Sequence, residues 1–143
     1  MVKILFVCHG TICRSPMAEF VMKDLVAKAG RSGEFHIASA AVSREEIGNP
    51  VYPPARRELQ KHGIACDGHK AHQITRAELE SYDLIYYLDG SNQRYLHRLF
   101  GDDAAKCRPL ISRDVADPWY TGDFSQTWDD IVEGCERILE EWK

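Results

Sequence analysis

The chain has 143 residues, of which 44% are hydrophobic, and its 18 Lys and Arg against 22 Asp and Glu give a formal net charge of −4. A chain of roughly 150 residues buries about 68–70% of its unfolded surface, so we expect one domain over residues 1–143 and exclude a disordered chain. We find no long basic patch for nucleic acid, no apolar run near the roughly 18 residues that cross a bilayer, and no signal peptide. We therefore expect a cytoplasmic protein without membrane or nucleic-acid partners.

Strand-like and helix-like segments alternate along the chain. Residues 4–7 are a continuous apolar run, which is typical of a buried parallel strand. Ser15 followed by Pro16 predicts a helix start, because serine suits the N-cap and proline suits the first helical position. Helical spacing carries this helix to Leu25, and the glycines at positions 30 and 33 end it.

The remaining elements follow from the same kinds of signal. They are a strand over residues 35–38, a loop over 49–54, a helix over about 55–62, a short helix capped by Thr75 and reaching residue 79, a strand over 84–88, a helix that follows Asp89 and reaches residue 100, a short strand over 109–111, and a C-terminal helix striped by Ile131, Cys135, Ile138, Leu139 and Trp142. Strands that alternate with helices predict an α/β fold with helices on both faces of a parallel sheet. Ligands bind at the carboxyl ends of the strands in such sheets, which indicates the segment after Val7.

Cys8 and Arg14 enclose a five-residue loop between the first strand and the first helix. The N–H groups of such a loop converge on one anion, and the arginine fork matches two phosphate oxygens. The same groups are expected to stabilise a thiolate at Cys8, which is the nucleophilic form of cysteine. The alternative for Cys8 is a small buried hydrophobe at a strand end. A second match, from Cys107 to Arg113, contains Pro109 and no glycine, so we interpret it as accidental.

The five cysteines show no paired spacing, and we interpret them as free thiols. One loop needs only one nucleophile, so Cys13 is expected to be a neighbour of Cys8 that forms a disulfide with it on oxidation. His69 and His72 make a single H-x-x-H pair, which is a weak metal signal without further ligands. No metal is predicted.

Asp117 is the best candidate for the acid that the leaving oxygen of a phosphate ester needs. It opens the sequence Asp-Pro-Trp-Tyr, in which Pro118 stiffens the loop and the rings of Trp119 and Tyr120 are placed to line a slot for an aromatic substrate. The alternative is a turn with two packed rings, since Asp-Pro is a common turn dipeptide.

Together these motifs resemble the low-molecular-weight protein tyrosine phosphatases. The resemblance covers essentially the whole chain: VCHGTICRSPMAE near the start and DPWY near the end are joined by ASAAVS, GNPVYPPARRELQKHGI, HKAHQIT and DLIYYLDGSNQRYL, in the order and spacing of that family. It implies a four-stranded parallel sheet flanked by helices, with a phosphate-binding loop after the first strand. It also implies a two-step mechanism without metal or cofactor, acting on phosphotyrosine-bearing proteins.

The resemblance assigns a role to each matching catalytic residue. Cys8 attacks phosphorus and becomes a phosphocysteine, Arg14 binds the phosphoryl oxygens, and Ser15 hydrogen-bonds the sulfur when it leaves. Asp117 protonates the leaving phenolate and then takes a proton from the attacking water. Cys13 matches the second loop cysteine, which protects the nucleophile through a disulfide.

Further positions are implied to bind phosphate, support the loop or form the substrate slot. Phosphate binding and loop support fall to His9, Gly10, Thr11, Ile12, Cys13, Ser15, Ser39 and His69. Trp119 walls the phosphotyrosine slot, and Tyr120 is a candidate phosphorylation site. Alternatively, these two rings belong to a weak self-association face.

Thr11 and Glu45 depart from the family pattern. The family usually has an asparagine at position 11, in a left-handed conformation and bonded to the residues that map to Ser39 and His69. A β-branched residue at positive φ is strained by on the order of 1–3 kcal/mol, so Thr11 is expected to loosen the loop and lower activity. Glu45 stands where vertebrate members often have an aromatic wall of the slot. It favours basic residues beside the phosphotyrosine, unless it is simply a solvated loop acid.

Several other functions stay open on the same loop. Ile12 favours phosphotyrosine, because protein arginine phosphatases carry a smaller threonine at the matching position. Arsenate reductases need two further cysteines on one mobile segment, whereas the other cysteines of this chain are scattered. A cysteine phosphocarrier has no need of the acid Asp117, and a non-catalytic phosphotyrosine-binding module has no need of the complete catalytic set.

Overall fold

The computed structural model describes residues 1–142. Its parallel strands are β1 (Val2–Cys8), β2 (Phe35–Ala41), β3 (Leu84–Tyr87) and β4 (Arg108–Pro109), and they form one sheet in the order β2-β1-β3-β4. The helices are α1 (Arg14–Lys28), α2 (Pro53–Lys61), α3 (Arg76–Ser81), α4 (Gly90–Phe100), α5 (Pro118–Thr121) and α6 (Phe124–Glu141). The predicted four-stranded parallel α/β fold is confirmed. Within residues 1–142, no helix is both long and apolar enough to span a membrane.

β1 lies inside the sheet, and its side chains alternate between the two faces. Ile4 and Phe6 pack with residues of α1, α2 and α6, whereas Leu5 and Val7 pack with residues of α3 and α4. All four side chains are fully buried. Because helices cover both faces, both sets of side chains must be apolar, which explains the continuous apolar run in the sequence.

The start of α1 differs from the prediction. The helix begins at Arg14 with Cys13 in the N-cap position, so Ser15 is the second helical residue and Pro16 is the third. The hydroxyl of Ser15 lies 3.1 Å from the Cys8 sulfur and 2.6 Å from the Thr11 hydroxyl, so it serves the loop and does not cap the helix. Pro16 is tolerated because the first N–H groups of a helix have no partner within it.

Other element boundaries shift by a few residues. β2 continues to Ala41 and pairs with the whole of β1, and α2 begins at Pro53. β4 is only two residues long, although the N–H of Leu110 still donates to the Tyr87 carbonyl at 3.0 Å. Trp142 follows the end of α6 and is 40% exposed, so its predicted place in the buried stripe is wrong.

The segments that follow the strands meet at one edge of the sheet. Cys8 ends β1, and Asp89 follows β3 as the N-cap of α4. Beyond β4, the N–H of Val115 donates to the Leu88 carbonyl at 2.8 Å. This bond holds the chain beside the end of β3, and Asp117 therefore comes to the edge at which Cys8 lies.

Gly134 allows α6 to pack closely on the residue that follows β4. A Cβ at Gly134 would overlap Cγ and lie 2.7 Å from Cδ1 of the buried Leu110. In an open helix, replacing glycine with alanine stabilises the fold by about 0.5–1 kcal/mol, but overpacking a filled core costs about 1–3 kcal/mol.

We expect Gly134→Ala to lower the free energy of unfolding in urea by about 1–2 kcal/mol. Glu136→Ala, at an exposed position of α6, is the control, and a Gly134→Ala protein as stable as wild type would contradict the close packing.

Candidate active site

A cavity of about 550 Å³ opens at the carboxyl edge of the sheet. Its walls come from the loop between β1 and α1, the loop after β2, the start of α4 and the segment around α5. The lining residues are Cys8, His9, Gly10, Ile12, Cys13, Arg14, Glu45, Glu46, Asp89, Ser91, Asn92, Tyr95, Asp117, Trp119 and Tyr120. The structure therefore gathers most of the predicted site residues around one space, while Thr11, Ser15, Ser39 and His69 lie behind it.

The Cys8 sulfur lies at this cavity, and its side chain is almost wholly buried. The N–H of Thr11 donates to the sulfur at 3.2 Å, and the Ser15 hydroxyl lies 3.1 Å away. A thiolate accepts hydrogen bonds only, so Ser15 is then the donor to Cys8, and Thr11 is the donor to Ser15 at 2.6 Å. The Thr11 N–H and the Ser15 hydroxyl are thus the two donors directed at the sulfur.

Arg14 is a buried cation that two other segments hold in place, the start of α4 and the segment that leads into α5. Its Nη1 donates to the Val115 carbonyl at 3.0 Å and its Nη2 to the Asp89 carboxylate at 2.8 Å. The Asp117 carboxylate lies 3.5 Å from the same Nη2. Burial opposes the charge, but the neighbouring Cys8, Asp117 and Asp89 more than compensate and raise the pKa of Arg14. The site thus keeps a permanent positive charge beside the nucleophile.

Asp89, which the sequence predicts only as the residue before a helix, also lines the cavity. One carboxylate oxygen caps α4 by accepting the N–H of Asn92 at 2.8 Å, and the other accepts from Arg14. Its place directly after a buried strand was a usable signal, because the carboxyl ends of parallel strands share one edge. The structure adds this carboxylate to the site.

Thr11, in this loop, is the only residue other than glycine in the described chain that has a left-handed backbone. Its φ is 55°. The ring Nε2–H of His69 donates to the Thr11 carbonyl at 2.7 Å, which supports the turn from behind. Ser39 supports the turn less directly than His69. Its hydroxyl donates to the Glu19 carboxylate at 2.5 Å. Glu19, which no local sequence signal marks, also pairs with Lys23 at 2.6 Å. The expected support network therefore runs from Ser39 through Glu19, with the Nδ1 of His69 3.9 Å from that carboxylate.

The other cysteines differ from Cys8 in their surroundings. Cys13 lines the cavity, but burial, followed by the charges of Cys8 and Asp117, raises the pKa of its thiol to about 12. Burial also raises the pKa of Cys66, and that of Cys107 to about 11. At neutral pH these three side chains are thiols, which are poor nucleophiles.

The second Cys-x5-Arg match does not form a loop around an anion. Cys107 is buried with the residues of α3 and α4, whereas Arg113 donates to Asp130 at 2.8 Å and to Glu133 at 3.2 Å on α6. The two histidines of the H-x-x-H pair contact other groups. His69 bonds to the Thr11 carbonyl, and the ring of His72 lies 2.9 Å from the Glu78 carboxylate.

Asp117 is the N-cap residue of α5 and lines the cavity. Its Oδ1 caps the helix by accepting the N–H of Trp119 at 3.0 Å, while its Oδ2 points towards Arg14. Trp119 is 59% exposed and Tyr120 is 85% exposed, so both rings remain open to a ligand. Tyr52 packs against Trp119 with ring centroids 5.2 Å apart and props this wall, a contact that the sequence did not reveal.

The opposite side of the cavity mouth carries two acids. Glu45 pairs with the ring of His9 at 3.0 Å, and that ring lies edge-on to Tyr95 with centroids 5.4 Å apart. Glu46 packs directly on the loop, since a Cβ at Gly10 would lie 3.0 Å from its Cγ. Glu45 is thus a cavity residue with a polar partner, and an aromatic wall is absent at its position.

Comparison with known proteins settles the family. The sequence profile of low molecular weight phosphotyrosine protein phosphatases matches residues 3–143. The chain belongs to this phosphatase family. A relative from Bacillus subtilis, low molecular weight protein-tyrosine-phosphatase YfkJ, is 37% identical to this phosphatase, over 97% of this chain and 94% of its own length.

Solved structures agree with the family assignment of this phosphatase. SP-PTP, a low molecular weight protein tyrosine phosphatase from Streptococcus pyogenes, superimposes with a TM-score of 0.92 at 36% identity, covering all of this chain and 94% of its own. DARP, a drosophila arginine phosphatase, superimposes with a TM-score of 0.89 at 28% identity, covering 99% of this chain and 98% of its own. Both named activities therefore occur on this fold.

Thr11 is strained at the centre of the phosphatase loop, and its replacement tests the cost. Thr11→Asn, which tolerates positive φ, is expected to raise the free energy of unfolding by about 1 kcal/mol. Because a relaxed loop orients its N–H groups better, we expect kcat/KM on an aryl phosphate to rise by about twofold or more. The control Thr11→Val keeps the β-branch, loses the bond to Ser15 and is expected to be less stable than wild type. Equal turnover and equal stability of Thr11→Asn and wild type would refute the strain argument.

Proposed function

We propose that this chain hydrolyses phosphotyrosine in proteins, and small aryl phosphates, through a phosphocysteine on Cys8 and without a metal. One observation carries the proposal: the Cys8 sulfur, the Arg14 guanidinium and the Asp117 carboxylate line one cavity. The cavity lies beside the exposed ring of Trp119, which suits an aromatic ester. Membership of the phosphatase family supports the same reaction.

In the first step the Cys8 thiolate attacks phosphorus, and the bond from phosphorus to the phenolic oxygen breaks. The phenolate takes the proton of the Asp117 carboxyl group, so the leaving group departs as neutral tyrosine. Arg14 and the N–H groups of residues 9–14 bind the remaining phosphoryl oxygens. Val115 and Asp89 engage two of the five N–H donors of Arg14, which leaves others for the phosphoryl group.

In the second step water replaces the sulfur. The Asp117 carboxylate takes a proton from the water as the water oxygen attacks phosphorus, and the bond from phosphorus to sulfur breaks. The departing thiolate receives the hydrogen bond of Ser15, whose hydroxyl lies 3.1 Å from the sulfur. Inorganic phosphate is released and Cys8 returns to its starting form.

Features of the cavity weigh against the other chemistries of this loop. Ile12 lines the cavity, and its bulk favours a phenol over the planar guanidine of phosphoarginine. Cys66 and Cys135 pack in the core with α1 and α6, and Cys107 lies on the other face, so within the described chain no two further cysteines join Cys8 and Cys13 at the cavity for an arsenate relay. A cysteine phosphocarrier needs no general acid, so the presence of Asp117 at the cavity weighs against that function. Weak self-association through the exposed rings at the mouth, and location in the cytoplasm, stay predictions.

The mechanism is tested by aryl phosphate turnover in the presence of a chelator. We expect Cys8→Ser to abolish turnover, and Asp117→Asn to lower kcat by about 10²–10⁴-fold, because it cannot donate the proton. Cys66→Ser, a buried thiol away from the cavity, is the matched control. A phosphoarginine peptide is compared with a phosphotyrosine peptide in the same assay. Turnover that survives Cys8→Ser, or a preference for phosphoarginine, would overturn the proposal.

We further propose that Glu45 selects substrates with basic residues beside the phosphotyrosine. Its carboxylate is largely exposed at the cavity mouth, where only the ring of His9 pairs with it among the described residues. Exposed ion pairs contribute about 0.2–1 kcal/mol and weaken with salt.

Phosphopeptides with lysine or with glutamate beside the phosphotyrosine test this preference. At low salt we expect wild type to favour the lysine peptide, and Glu45→Gln to reduce the ratio of kcat/KM values by about two- to fivefold. The exposed Glu80, far along the chain on α3, supplies the control variant Glu80→Gln. An unchanged ratio in Glu45→Gln would contradict this selectivity and would show that Glu45 is a solvated loop acid.

A further inference from the structure

The segment 113–117, which carries Asp117, is held to the body of the protein at successive residues. The Arg113 side chain bonds to α6, and the Asp114 carboxylate accepts the N–H of Gly90 at 3.2 Å. The N–H of Val115 donates to the Leu88 carbonyl, next to the end of β3. The carbonyl of Val115 accepts a hydrogen bond from the Arg14 guanidinium. The segment is therefore anchored along its length, which is unusual for an irregular connection at a cavity mouth.

Ala116, the residue directly before Asp117, is clamped by two side chains of α6. The N–H of Ala116 donates to Oδ2 of Asp130 at 3.0 Å. The carbonyl of Ala116 accepts from the hydroxyl of Thr127 at 2.8 Å. Thr127 and Asp130 are three residues apart, so they lie on one face of the helix, and both are buried.

Thr127 and Asp130 together form a clamp on Ala116, and this clamp is itself held in a single conformation. The other oxygen of Asp130 accepts from Arg113 at 2.8 Å and from Gln126 at 2.9 Å, so the buried carboxylate is fully engaged. The N–H and the carbonyl of Ala116 belong to the two peptide planes on either side of its Cα. Because peptide groups are planar, fixing both of them fixes the backbone that leads into Asp117.

We propose that Thr127 and Asp130 are positioning residues that hold the Asp117 carboxyl at the leaving-group side of the cavity. The proposal rests on the proposed phosphatase function. On the other side of Asp117, α5 is a single four-residue turn in which Trp119 and Tyr120 are exposed, and Tyr52 packs against the Trp119 ring. A general acid works only within hydrogen-bond reach of its target, and a displacement of about 1 Å costs about 10²-fold.

A displaced acid has a signature that general loosening of the site lacks. A weakly basic leaving group such as p-nitrophenolate departs with little protonation, whereas phenolate needs the proton. Loss of the clamp therefore slows phenyl phosphate far more than p-nitrophenyl phosphate. Damage to the phosphate loop, in contrast, slows both esters alike, because both transfer the same phosphoryl group.

Thr127→Val is the central variant, because it keeps the shape of threonine and removes the donor to Ala116. We expect kcat/KM to fall by about 10–100-fold on phenyl phosphate, and by less than about threefold on p-nitrophenyl phosphate. Thr127→Ser restores the hydroxyl and should return the ratio of the two rates towards wild type. Asp129→Asn, at the exposed neighbour of Asp130, is the control for charge on α6.

A double-mutant cycle with Asp117→Asn separates positioning from structure. If Thr127 acts through Asp117, Thr127→Val adds less than about twofold in that background. Equal losses on both esters, no loss, or full additivity with Asp117→Asn would overturn the positioning role. Should Thr127→Val not fold, Asp130→Asn takes its place in the same cycle. The proposed function fails separately, if Asp117→Asn itself shows no dependence on the leaving group.

Discussion

The buried guanidinium of Arg14 is the constraint on which the rest of the site depends. A buried cation without partners costs several kcal/mol, so the carbonyl of Val115 and the carboxylate of Asp89 must both be in place when the protein folds. These partners follow β4 and β3, while Arg14 itself begins the helix after β1. One charge thus ties together the carboxyl ends of three strands, and the same contacts hold both the fold and the site.

The loop between Cys8 and Arg14 is supported from behind. Thr11 turns into the left-handed region, and the His69 ring and the Ser15 hydroxyl hold that turn through hydrogen bonds. The same turn directs the Thr11 N–H at the Cys8 sulfur. Donors that are fixed before a ligand arrives need no rearrangement during the reaction, which is how a polar site stabilises developing negative charge. The strain at one residue therefore accompanies an organised anion site.

Local sequence signals predicted the elements well and the contacts between them poorly. The apolar run of β1 and the Cys8–Arg14 spacing needed no knowledge of distant residues, because strand burial and loop length are local properties. Ser15 was wrongly assigned to the helix cap, since its hydroxyl instead serves the Cys8 sulfur. Glu19 and Tyr52 were missed because each matters through a partner far along the chain, Ser39 and Trp119 respectively.

The sequence by itself determined the α/β class, the loop that carries Cys8 and Arg14, and the acid candidate Asp117, because each rests on residue type and spacing within a short segment. Only the tertiary structure decided that Asp89 joins the site and that α6 holds the segment before Asp117. Hydrogen bonds between distant segments depend on how the strands and helices pack. A residue such as Asp130, on a helix that supplies no group to the cavity lining, acquires its place only when that packing brings it to Ala116.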